Sequence, residues 1–137
     1  MTDFDIAIDA DRHFMHLVLR GYWDMGMFDA FARAFRKALQ DLGRTGGARY
    51  ALVDARDFAV QSVEIAGKFG ALIAESYADA MPRTATLTAT TLNKLQADRA
   101  GVQNARYFTD LAAAEAWLFA AQDAAPDRAP AVIRAAR

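Results

Sequence analysis

The sequence contains no cysteine, only two histidines and no excess of either charge. Without cysteine there are no disulfides, no thiolate metal sites and no thiol nucleophile, which suits a reducing, cytoplasmic setting. Sixteen basic residues face seventeen acidic ones, a net charge of -1. Nucleic acids and anionic membranes both recruit clustered positive charge, so neither is expected as a partner. A membrane-spanning run is also missing. The longest apolar stretch, "LAAAEAWLFAA", is about half the length a spanning helix needs and is interrupted by Glu115, so it reads as a packed helix. At the start, "MTDFDIAIDADRH" places acidic residues where a secretory signal has basic and apolar ones.

Scarce histidine also limits the chemistry. A serine nucleophile needs a histidine to take its proton. His13 falls at a predicted hairpin and His16 inside a predicted strand, both far along the chain from Ser62. They lie three apart on extended chain, hence on opposite faces, which argues against a shared metal. Asp54 and Asp57 form the nearest carboxylate pair for acid and base work, but a strand end and a solvated turn explain them as well. "RTGGAR" precedes a strand instead of following one, so it is no phosphate loop. The residues point to no enzyme, no cofactor and no metal.

What the sequence does have is apolar periodicity. With 137 residues, 54% of them hydrophobic, it suits one compact domain. Phe4, Ile6 and Ile8 alternate with Asp5, Ala7 and Asp9 as in a strand with one wet face, and "FMHLVLR" reads as a covered strand, so the two predict an antiparallel hairpin. After Gly21, Asp24 caps a helix whose Phe28, Phe31, Phe35, Leu39 and Leu42 recur at spacings of three and four. "YALVD" is a short buried strand. Ser62 caps a second helix bearing Ile65, Phe69, Leu72 and Ile73. In "TATLTAT", threonines line one face and Ala85, Leu87 and Ala89 the other. A short helix over 93–100, a strand "ARYF" and a helix capped by Thr109 or Asp110 complete the order.

An opening hairpin followed by alternating helices and strands predicts an α/β domain over 1–121. Its five-stranded sheet is mixed and mostly parallel, with right-handed crossovers placing the helices mainly on one face. The tail, 122–137, is expected to dock on the domain or on a partner. Loops after parallel strands gather at one edge, where sites on open α/β sheets lie. The segments at that edge are 21–27, 54–62, 90–94 and 108–110. In "GYWDMGMF", Tyr22, Trp23, Met25 and Met27 supply more apolar area than a helix start requires, although Trp23 could also pack beneath the helix.

The order "HLVLRGYWD", helix, "YALVDARDF", "SVEIAGKFG", "PRTATLTAT" and "ARYFTDLAAAEAWL" resembles the STAS-like proteins, particularly the bacterial SpoIIAA-like branch also labelled STAS/SEC14 domain. The likeness spans roughly Phe4 to Ala120. In the family's anti-sigma factor antagonists, the junction after the central strand carries an aspartate followed directly by a phosphorylatable serine or threonine. Asp54 matches the aspartate, but Ala55 follows it and no hydroxyl occurs before Ser62, whose position makes it first of all a helix cap. The resemblance implies a non-enzymatic interaction or regulatory module. Its expected contact residues are Tyr22, Trp23, Met25, Met27, Asp54, Arg56, Asp57 and Ser62, with a protein partner or a second copy as occupant. The alternative is a small apolar or lipid-like ligand held between helix and sheet by Phe31, Phe35, Phe69, Ile73 and Tyr77.

Overall fold

The computed structural model describes residues 3–78, 81–89 and 104–123. Strand β1 (Phe4–Asp9) leads through a 3-10 turn (Ala10–Arg12) to β2 (Phe14–Gly21). Helix α1 (Met25–Gly43), strand β3 (Tyr50–Phe58), helix α2 (Val63–Ser76), strand β4 (Arg83–Leu87), strand β5 (Ala105–Phe108) and helix α3 (Leu111–Asp123) follow. The sheet order is β1-β2-β3-β4-β5, with β1 antiparallel to β2 and the remaining pairs parallel. This is the mixed sheet that the alternation of elements predicts. The expected helix over 93–100, the loop 90–94 and the tail from 124 onward lie outside the described residues.

Because β2, β3 and β4 are neighbours in chain order, the α1 and α2 crossovers fall on the same face of the sheet. There Met15, Leu17 and Leu19 from alternate positions of β2 meet Phe28, Phe31, Phe35 and Leu42 of α1 and Ile65 and Leu72 of α2. Helix α3 covers the opposite face, where Ala114 and Leu118 pack on Leu52, Ala85, Leu87 and Phe108. Small Ala85 lets the helix approach closely, as the alternation in "TATLTAT" implies.

Two strand lengths depart from expectation. β3 does not stop at Asp54 but runs to Phe58, carrying "ARDF" into the sheet. The extension is possible because the β2 register passes from Val18↔Asp54 to Arg20↔Asp57, so β3 holds one extra residue in a bulge. The charged residues there resembled a turn, yet a bulged strand tolerates them because its local twist lets their side chains leave the packed faces. β4 in turn is shorter than "TATLTAT", ending at Leu87.

Candidate functional site

The C-terminal ends of the parallel strands bring the β2–α1 and β3–α2 connections together, and one side chain joins them. Gln61 accepts the Trp23 backbone N–H at 2.8 Å and donates through Nε2 to Gly21 O at 2.9 Å and Ala59 O at 2.7 Å. The backbones touch as well, with Ala59 N–H donating to Gly21 O at 3.1 Å. Gly21 makes this turn at φ 80°, a left-handed conformation that glycine adopts at little cost. Two chain segments far apart in sequence thereby form one fixed rim.

Both helices starting at the rim are capped as their sequences require. Asp24 Oδ1 accepts from Met27 N at 2.8 Å, and Ser62 Oγ accepts from Ile65 N at 3.1 Å. Ser62 is half-buried, and its hydroxyl is engaged by the helix it begins.

Trp23 belongs beneath the rim and not on its surface. Its side chain is 1% exposed, and its ring lies 5.9 Å from Phe4, 5.3 Å from Phe31, 5.1 Å from Phe58 and 5.4 Å from Phe69. Its indole N–H donates to Arg20 O at 2.7 Å, which satisfies the one polar group that burial would otherwise strand. The contact expected of Trp23 is therefore corrected to a core role: it ties β1, α1, β3 and α2 together. Met25 and Met27 are half-buried and packed against this core.

Tyr22 alone of the expected aromatic and methionine set is largely exposed, at 64%. Two neighbours that sequence reading passed over join it: Val60 at 90% and Val63 at 91%. Isolated valines in a short connection carry no periodic signal, and Gln61 has none either, since its partners across the rim lie 38 and 40 residues away.

Asp54, Arg56 and Asp57 lie inside β3, on or beside the bulge. Arg56 grips Asp54 with both nitrogens, Nε to Oδ1 at 2.9 Å and a terminal nitrogen to Oδ2 at 2.7 Å, and its backbone N–H reaches Oδ1 at 3.2 Å. This fork holds the Asp54 carboxyl below its ordinary pKa; partial burial works against the shift without cancelling it. Asp54 is thus an occupied carboxylate, and Arg56 is ion-paired to it. Asp57 is exposed beyond the bulge. Among the described residues, no group of three or more histidine, aspartate or glutamate side chains is placed to hold a metal ion.

The side chains expected to line an apolar cavity touch one another. Phe31 lies 5.6 Å from Phe35 and 5.5 Å from Phe69, and Phe35 lies 6.0 Å from Tyr77. A groove of about 230 Å³ opens between α1 and α2 instead, floored by Phe28, Ala32 and Leu72 and walled by charged side chains that include the Arg36–Glu75 ion pair at 3.2 Å.

No helix among the described residues is long and apolar enough to cross a membrane. Neither a protein-family model nor a curated protein matches the sequence. Among solved structures, the chain is similar to an uncharacterized protein of the DUF3478 family with a SpoIIAA-like fold from Shewanella loihica PV-4. The two share 17% identity at a TM-score of 0.69, over 86% of this chain and 95% of that one. The five-stranded mixed sheet, the placement of its helices and this likeness together give the chain a SpoIIAA-like fold.

Proposed function

We propose that the chain is a non-enzymatic protein-interaction or regulatory module that docks a partner through the edge formed by 21–28 and 54–62. One observation carries this reading: Tyr22, Val60 and Val63 expose apolar side chains on a rim held in place by Gln61. Loops normally lose conformational entropy on binding, and a rim already fixed by hydrogen bonds loses less. The expected contact set becomes Tyr22, Val60 and Val63 as anchors, with Asp57, Arg56, Met25 and Met27 around them and Asp54 and Ser62 as supports. Trp23 acts from below by holding the rim's shape.

A catalytic reading finds less support, because the Asp54 carboxyl, held below its ordinary pKa, is gripped by Arg56. A lipid-like ligand finds less support as well, because the rings that would surround it are in mutual contact. Capture of partners from native cells tests the proposal: Val60→Asp and Val63→Asp are expected to lose proteins that the wild type retains. Identical captured sets from all three would refute it.

A further inference from the structure

A net charge of -1 conceals a local excess of one sign at the edge of the sheet opposite the rim. Arg83 opens β4 and Arg106 lies in β5, each two residues before a side chain that packs under α3, Ala85 and Phe108, so both arginines lie on the face that α3 covers. One indole gathers them. The Arg83 guanidinium carbon is 3.7 Å from the centre of the Trp117 ring, and that of Arg106 is 5.7 Å from it and 5.5 Å from the Phe108 ring. Arg83 is tied to the helix backbone as well, its Nε and a terminal nitrogen donating to Trp117 O at 3.2 and 2.9 Å.

Neither cation is neutralised. Among the described residues no carboxylate forms an ion pair with Arg83 or Arg106. Glu115 is the acid nearest Trp117 in sequence, but two residues along a helix turn it about 200° around the axis. Arg12, 4.1 Å from the centre of the Phe119 ring, adds positive charge on the same helix, which Asp9 and Asp11 beside it offset in part. Burial holds the Arg83 guanidinium below its ordinary pKa, and the charge of Arg106 works in the same direction. Arginine stays charged even so, and an anion at this place relieves a repulsion that the fold leaves standing.

The geometry selects the kind of anion. An indole covers the flat face of a guanidinium and leaves its in-plane N–H groups able to donate. Of the five on Arg83, two serve Trp117 O; the other three, and those of Arg106, have no acceptor among the described residues. Two forks with two positive charges match a phosphate monoester, which carries about two negative charges at neutral pH and three accepting oxygens. A carboxylate offsets only one of the two. Because Arg83 is already held in place, it loses little freedom on binding.

We propose that Arg83 and Arg106, set around Trp117, form a binding site for a phosphate monoester, whose oxygens accept from both guanidinium groups. The site is independent of the docking rim and gives the module a second, small ligand. The phosphate belongs either to a soluble ester or to a phosphatidic acid headgroup, which share this chemistry.

Two tryptophans in contrasting surroundings make the test direct. In the ¹⁵N-labelled full chain, glycerol 3-phosphate added at an ionic strength fixed with sodium chloride is expected to move the Trp117 indole N–H and the Nε–H signals of Arg83 and Arg106 along one saturable curve. The indole of Trp23, 1% exposed, should stay in place. Arg106→Gln, at an exposed position, is expected to raise the Kd about tenfold, and Arg33→Gln on the outer face of α1 to leave it unchanged. Sedimentation with phosphatidylcholine vesicles, with and without phosphatidic acid, separates the sources. Binding that requires phosphatidic acid and is lost in Arg106→Gln assigns the phosphate to a lipid headgroup, and saturable titration without vesicle binding assigns it to a soluble ester. Shifts that never saturate or that Arg106→Gln leaves unchanged, with vesicle binding absent or equally insensitive to that variant, would overturn the proposal.

Discussion

Gln61 and Trp23 are joined by a 2.8 Å hydrogen bond from the Trp23 backbone N–H to Gln61 Oε1, while the indole of the same tryptophan lies in the core below. The rim and the main hydrophobic cluster are therefore one mechanical unit, and a change in either is felt in the other.

Replacing Gln61 by alanine removes the acceptor for Trp23 N–H and the donor to Gly21 O and Ala59 O. At about 1 kcal/mol for each hydrogen bond whose loss is felt, a destabilisation of about 1–2 kcal/mol is expected in urea unfolding. Amide exchange should accelerate at Trp23 before it does in β2 or β3. Unchanged protection at Trp23 would mean that the clamp is not what fixes the rim.

Trp23→Ala is expected to cost about 3–5 kcal/mol, the range for emptying a large buried aromatic site. Trp23→Phe should cost less, since it keeps ring contacts with Phe58 and Phe69 but loses the N–H bond to Arg20 O. Chemical denaturation of both variants decides this, and near-wild-type stability of Trp23→Ala would contradict the central position assigned to the indole.

The Asp54–Arg56 fork makes a pH-dependent contribution of definite sign. The folded-state pKa of Asp54 is depressed, so the stabilisation is present at neutral pH and is lost as pH falls through that depressed value. Because Arg56 is well exposed, the contribution is small, about 0.5–1 kcal/mol. Asp54→Asn should be less stable than wild type at pH 7, and the gap should close in acid. A gap that persisted in acid would place the effect of the substitution outside this carboxylate's charge.

Ser62→Ala removes the α2 cap at an expected cost of about 1 kcal/mol, and Ser62→Asp should recover most of it, because a carboxylate accepts the same N–H and favours the helix N-terminus. Thermal unfolding of the two variants compares them directly. Equal destabilisation by alanine and aspartate would assign Ser62 a role other than capping.

Most of the architecture was legible in the chain because it rests on local patterns. The α1 stripe from Phe28 to Leu42, the caps Asp24, Ser62 and Asp110, and the alternation in β2 each declare themselves within one or two turns. The misread parts depend on contacts between distant segments. β3 continues past Asp54 only because a bulge against β2 accommodates "ARDF", and no local signal announces a bulge. Beside Tyr22 and Met25, Trp23 reads equally as an edge contact or as packing beneath the helix, and only the four rings from four other elements that enclose it decide for the core. The same difficulty hid Val60, Gln61 and Val63, whose importance lies in what the other loop brings next to them.

Hydrogen exchange on the complex with a captured partner tests the central claim most directly. Docking at this edge predicts slowed exchange at residues 21–28 and 58–64, with the exposed outer face of α1 around Arg33 unchanged, and loss of the complex on Val60→Asp but not on Arg33→Glu. Protection confined to the α3 face, with the rim exchanging as in the free protein, would contradict it.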